Sequence, residues 1–142
     1  MEFSDLYSNR ILEIAGAARL MPRLDHPDAT ARKVSRICGS AVEIDLKLDN
    51  GRVAAYGATV NACALGQTSA AIVAEQIIGS TPEELRALRD RMAAMLRADG
   101  PPPNGKWDDL KYLEPVRAFP ARHASTLLVF DAVVEALERA EA

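Results

Sequence analysis

The sequence predicts an α+β fold: a three-stranded antiparallel sheet in the first half, packed by about five helices. Three observations carry that reading. Residues 41–48 alternate between apolar and polar side chains, the pattern of a half-buried strand. Asp49-Asn50-Gly51 then offers the Asn-Gly pair that a tight hairpin turn requires. From Cys63 onward the apolar spacing becomes helical and stays so to the C-terminus.

The elements follow in order. Ser4 and Asp5 can cap a first helix to about Ala17, with Leu6, Ile11, Leu12 and Ile14 as its apolar stripe. Residues 18–30 carry prolines and no period, and are read as a loop; Ala31 to Ile37 suits a short strand. In Ala41 to Leu48, Val42, Ile44, Leu46 and Leu48 face one way, and Glu43, Asp45 and Lys47 the other. Arg52 to Val60 returns as the third strand. Ala64 to Ile78 is a helix of small and aliphatic residues ended by Gly79, apolar enough to be buried across the sheet. Thr81-Pro82-Glu83-Glu84 opens the next helix, to about Ala98, with a Thr cap, Pro at the first position and Glu at the third. Asp99 to Lys106 is a proline- and glycine-rich loop, Trp107 to Leu113 a short helix, and Ala121 to Arg139 the last helix. No repeat or composition break divides residues 1–142, which read as one domain.

Composition narrows the function. A chain of 142 residues can bury a core without disulfide staples. A net charge of −3 argues against nucleic acid as the partner. No run approaches the ~20 apolar residues of a membrane span, and Met1-Glu2-Phe3-Ser4-Asp5 lacks the features of a signal peptide. The expected compartment is the cytoplasm, where two cysteines stay reduced. The absence of an obvious exposed apolar stripe suits a monomer or weak dimer.

Those cysteines are the chemical lead. Cys38 (Arg36-Ile37-Cys38-Gly39-Ser40) and Cys63 (Asn61-Ala62-Cys63-Ala64-Leu65-Gly66) both follow strand-like segments, and Cys63 opens a helix. Unpaired N–H groups and the positive end of a helix dipole favour a thiolate, the form that binds metal or carries sulfur. A third stretch, Phe119-Pro120-Ala121-Arg122-His123-Ala124-Ser125, leads into the last helix.

Together, in this order and spacing, the three stretches resemble the iron–sulfur cluster assembly scaffolds of the IscU/NifU N-terminal family, with the 99–122 segment closest to the SufU branch. No Leu-Pro-Pro-Val-Lys motif of the IscU branch is present. The resemblance implies a transient iron–sulfur cluster or a single zinc or iron ion held by three cysteines and one further ligand. It also implies a cysteine desulfurase as sulfur donor, and acceptor apo-proteins as clients. Cys38 matches the family's first cysteine, but Ser40 stands where its Cys-Gly-Asp turn has aspartate. Cys63 matches the second cysteine, Ser125 occupies the position of the third, and the family's Asn-Pro-Arg appears only as Ala17-Ala18-Arg19.

A serine hydroxyl is a poor substitute for thiolate or carboxylate. The resemblance therefore leaves Cys38, Cys63 and His123 as the metal set, Cys63 or Cys38 as sulfur acceptor, and Arg122 as a contact for the desulfurase. Read locally, Ser40 and Ser125 suit a turn and a helix cap better than a ligand role. The expected function is a scaffold or sulfur relay, a carrier more than an enzyme. A metal-free relative acting as a protein-interaction module is the alternative, and a Cys38–Cys63 redox disulfide a third reading.

Overall fold

The computed structural model describes residues 8–16, 22–36 and 39–141. Strands β1 (Ala29–Val34), β2 (Ala41–Asp49) and β3 (Arg52–Asn61) form one antiparallel sheet in the order β1-β2-β3. In its register Ile44 lies between Ala31 and Ala58, and Leu46 between Ala29 and Tyr56. Asn50 and Gly51, with φ of 52° and 72°, make the two-residue turn between Asp49 and Arg52 that Asn-Gly predicts. β1 starts two residues before the expected Ala31, because Asp28 secures that end. Its N–H donates to the Leu46 carbonyl (2.9 Å) and its carboxylate accepts from the Leu48 N–H (2.7 Å). The expected strand end at Ile37 lies outside the described residues.

Helices α1 (Asn9–Gly16), α2 (Ala64–Gln76), α3 (Pro82–Arg97) and α4 (His123–Glu141) pack with a 3₁₀ segment, Gly105–Ala118. The α+β class, with one three-stranded antiparallel sheet packed by helices, is as expected, but one placement differs. α4 covers β1 and β2, while α2 lies between α1 and α4 and meets the sheet mainly at β3. The aliphatic run of α4, with Leu127, Phe130, Val133, Val134 and Leu137 all buried, offers the larger apolar surface to the sheet. In α1, Ile11 is buried and the Ser8 hydroxyl accepts from its N–H (3.2 Å). Leu12, expected inward, is 50% exposed. The proposed caps Ser4 and Asp5, with Leu6 and Ala17, lie outside the described residues.

α3 begins as its sequence dictates, with the Thr81 hydroxyl accepting from the Glu84 N–H (3.2 Å). The segment expected as a short helix over 107–113 is instead 3₁₀ from Gly105 to Ala118. Trp107, Leu110, Leu113 and Val116 recur every third residue, and all four are buried. At three residues per turn that spacing gives one continuous apolar face, which an α-helix would wind away from the core. The last helix starts after a single 3₁₀ turn, Pro120–Arg122, rather than at Ala121.

The sheet face opposite α4 is covered by residues 22–24. Asp45, expected on a polar face, is 1% exposed. Its carboxylate accepts from Arg23 Nε (2.5 Å) and Nη2 (2.8 Å), the Leu24 N–H (3.0 Å) and the Thr30 hydroxyl (2.6 Å). Position 57, paired with Asp45 across the strands, must be glycine for this to fit. A Cβ there would press into the Pro22 carbonyl oxygen and stand 3.1 Å from Arg23 Cα.

Two stability predictions follow from that clasp. Hydrogen bonding to Arg23, with Thr30 and the Leu24 N–H adding to it, outweighs the opposing effect of burial and holds the Asp45 carboxyl down at about 2 against an ordinary 3.8. The resulting stabilisation, about 2 kcal/mol, is complete above pH 4 or so and disappears as pH falls through the folded value. Urea midpoints of wild type should drop steeply across that acid window. Asp45→Asn should start about 2 kcal/mol lower and lack this component of the drop. Gly57→Val should destabilise by about 2 kcal/mol or more, and an unchanged melting midpoint would refute the close-packing account.

Candidate functional site

Three chain segments meet where the sequence places its chemistry. Ser40 closes the β1–β2 connection, where the Ser35 N–H donates to the Ser40 carbonyl (2.8 Å) and the Gly39 N–H to that of Ser35 (2.9 Å). Gly39, at φ 71°, supplies the left-handed residue that this turn needs. Cys63 leaves β3 as the N-cap of α2, extended at φ −66° and ψ 173°. Its carbonyl accepts from the Gln67 N–H (2.9 Å), and its side chain makes no capping bond. Ser125 lies in the first turn of α4.

Their side chains form a chain of polar contacts. Ser40 Oγ and Ser125 Oγ are 3.2 Å apart, and Ser125 Oγ is 3.3 Å from Cys63 Sγ. Ser40 and Ser125 are 2% and 1% exposed, whereas Cys63 is half-buried. Cys63 is thus the least enclosed of the three residues. Gly66, one turn into α2, makes the approach possible: a Cβ there would lie 2.8 Å from Ala62 Cβ and 3.1 Å from Ser125 Oγ. The Ser69 hydroxyl donates to the Thr126 carbonyl (2.8 Å) and that of Thr68 to the Ile11 carbonyl (3.3 Å), fixing α2 against α4 and α1.

Ser125 therefore does not cap a helix; it is a buried interior residue facing Cys63. The structure brings Ser40, Cys63 and Ser125 together. It directs His123 elsewhere: the buried ring places Nε2 3.0 Å from the Val116 carbonyl and 3.3 Å from that of Arg117, on the 3₁₀ segment. Carbonyls only accept, so Nε2 carries a proton in these contacts and is taken up by the 3₁₀ segment. Arg122 is half-buried, with its carbonyl accepting from the Thr126 hydroxyl (2.9 Å). Cys38 and the Ala17-Ala18-Arg19 stretch lie outside the described residues.

The donor set can be compared with what a resident zinc ion requires. Structural zinc takes four tetrahedral donors, mainly thiolate and imidazole. The three converging side chains offer one thiol and two neutral hydroxyls, each already hydrogen-bonded. No cluster of three or more His, Cys, Asp or Glu occurs among the described residues. These three side chains alone do not make a zinc site. Nor is any helix among them long and apolar enough to cross a membrane.

Gly66 and the Ser40–Ser125 contact are the features that sequence reasoning did not identify. The small-residue run around Gly66 was the available signal, since glycine in a helix interior costs stability unless something approaches it closely.

The arrangement has relatives. No protein-family model matches the chain. The iron–sulfur cluster assembly scaffold protein IscU of Thermotoga maritima is 27% identical over 139 residues, 98% of this chain and 97% of that one. Among solved structures, a putative iron–sulfur cluster assembly scaffold protein for the SUF system from Fervidobacterium islandicum shares the fold. Its TM-score is 0.86 at 19% identity, over 96% of this chain and 99% of that one. A nitrogen-fixing NifU-like protein (N-terminal) from Brucella abortus is 48% identical, with a TM-score of 0.94 over 97% of this chain and 96% of its own. Identity of that order across nearly the whole of both chains, on one fold, means that the protein belongs to the IscU/NifU-like family of iron–sulfur cluster assembly scaffolds.

Proposed function

We propose that the protein serves iron–sulfur cluster assembly as a sulfur-carrying scaffold in the cytoplasm, with Cys63 as the sulfur-accepting thiol and Cys38 as the second thiol of the site. The observation that carries this reading is the placing of Cys63. It is half-buried at the N-terminus of α2, packed against the edge of the core with its sulfur 3.3 Å from the Ser125 hydroxyl. Unpaired N–H groups at that position suit an anionic sulfur.

The sulfur donor is a cysteine desulfurase carrying a cysteine persulfide. The Cys63 thiolate attacks the outer sulfur of that persulfide. A new S–S bond forms on Cys63 and the donor's S–S bond breaks, its electron pair leaving on the donor's cysteine thiolate. Sulfane sulfur moves with no net oxidation, and the donor returns as a free thiol. Iron joins as cargo. Completing an iron–sulfur cluster takes more thiolates than Cys63 alone, so Cys38 and then the thiols of an acceptor apo-protein supply the remainder. Arg122, beside the start of α4, is the proposed contact for the desulfurase.

The test is sulfur loading. With a cysteine desulfurase and free cysteine, wild type should acquire one persulfide sulfur at Cys63, located by mass spectrometry after alkylation. Cys63→Ser should fall to background with its melting midpoint within a few degrees of wild type. Undiminished loading of Cys63→Ser would overturn the assignment. Binding of the desulfurase with no loading of either cysteine would instead favour the metal-free interaction module, a reading that the two serines at ligand positions already recommend.

A further inference from the structure

We infer that Asn104-Gly105 is a modification site, at which the asparagine converts spontaneously to aspartate and isoaspartate, while the chain's other Asn-Gly pair, Asn50-Gly51, is protected by its turn. Nothing in this depends on the sulfur chemistry at Cys63.

Two asparagines are followed by glycine, at positions 50 and 104. In each pair the second residue has no side chain to shield its nitrogen, and all four residues are exposed. Local sequence therefore treats the two pairs alike. The fold does not.

The reaction needs water alone. At the reactive pair the Gly105 nitrogen attacks Cγ of Asn104. A new C–N bond forms, the bond from Cγ to the side-chain nitrogen breaks, and ammonia leaves, taking up the glycine proton by way of solvent. Water then opens the five-membered imide. Cleavage at Cγ leaves aspartate in a normal chain, and cleavage at the main-chain carbonyl routes the chain through the side chain as isoaspartate. No oxidant or reductant enters.

Ring closure dictates the backbone. The glycine nitrogen must eclipse Cβ across the Cα–C bond, which requires an asparagine ψ of about −120°, as at the first corner of a type II′ turn. Asn104 is extended, at φ −132° and ψ −172°, so closure is a rotation of about 50° away. Its side chain makes no capping bond. Gly105 opens the 3₁₀ segment, so its N–H has no partner within that segment. A Cβ on Gly105 would meet nothing within 4 Å, which leaves room for the imide. The rotation displaces one long backbone bond, from the Trp107 N–H to the Asn104 carbonyl (3.3 Å). Pro103 and Trp107, both buried, hold the chain on either side. The product carboxylate is also well placed, beside the first N–H groups of the 3₁₀ segment.

Asn50 faces the opposite situation. Positive φ at both Asn50 and Gly51 marks a type I′ turn, in which the first corner has ψ of about +30°. The Gly51 nitrogen then lies across the Cα–C bond from Cβ, and closure takes a rotation of about 150°. That rotation is barred while Asp49 pairs with Arg52. Conversion at Asn50 must wait for the hairpin to open.

The experiment ages the full chain at mildly alkaline pH, folded and in concentrated urea. Acidic variants are separated by anion exchange, and their sites are located by peptide mapping with mass spectrometry. In the folded chain Asn104 should convert at least about tenfold faster than Asn50. In urea, with the turn lost, the two rates should come within about twofold of each other. Asn104→Gln should remove the dominant acidic variant of the folded chain. Equal conversion of Asn50 and Asn104 in the folded chain would overturn the inference. So would conversion of Asn104 no faster than that of Asn61, which precedes alanine.

Discussion

The site depends on how closely α2 can approach α4. At Gly66 the two helices come near enough that a single Cβ would meet Ser125, and the Ser69–Thr126 hydrogen bond holds that spacing, while Thr68–Ile11 secures the other side of α2 to α1. α4 is in turn fixed by the sheet that it covers, so Ser125 is placed by the core and not by its own loop. Cys63 has no freedom to choose a partner, because β3 delivers it to the N-terminus of the helix that packs on α4. Widen the α2–α4 spacing and the sulfur, the two hydroxyls and the turn bearing Ser40 separate together. Small residues in α2 therefore hold a chemical site, at the cost of helix propensity.

The opposite face of the sheet is held by charge instead of close packing. Asp45 gathers Arg23, the Leu24 N–H and Thr30 into one network, and Glu43 adds a second carboxylate to Arg23 (2.6 Å). Removing one partner from so enclosed a carboxylate costs more than the pair contributes over an apolar substitute. Besides the stability that its ionised carboxylate contributes, the network fixes where residues 22–24 cross the sheet. It also ties the start of β1, through Thr30, to the middle strand.

Much of the fold was legible because local chemistry decides it. The β2–β3 hairpin follows from a period of two and an Asn-Gly turn, and α3 from Thr81, Pro82 and Glu84. The 3₁₀ segment misled because apolar residues at 107, 110 and 113 fit the first turns of an α-helix equally well; only the fourth, Val116, extends the strict period of three. Asp45 looked solvated because what buries it comes from residues 21 and 22 positions earlier, with no trace in the strand itself. In the site, the position of Cys63 was readable and the role of Ser125 was not. Serine near a helix start suits a cap, and the partners that say otherwise lie 85 and 62 residues away.

That distance in sequence bears on how the site can be understood. Ser40, Cys63 and Ser125 belong to three separate elements, yet their polar atoms meet in an order that leaves neither buried hydroxyl unsatisfied. A site that had merely lost its ligands would be expected to leave a buried polar atom orphaned, or to fill the gap with apolar side chains, which is the less costly remedy. Neither has happened here. Both serines are as enclosed as the core itself, and the cysteine they lead to is half-buried. Polar groups buried at that depth persist when each supports the next, and the last link of this chain is the thiol. The arrangement thus fixes the Cys63 sulfur against two buried hydroxyls that come from separate elements of the fold.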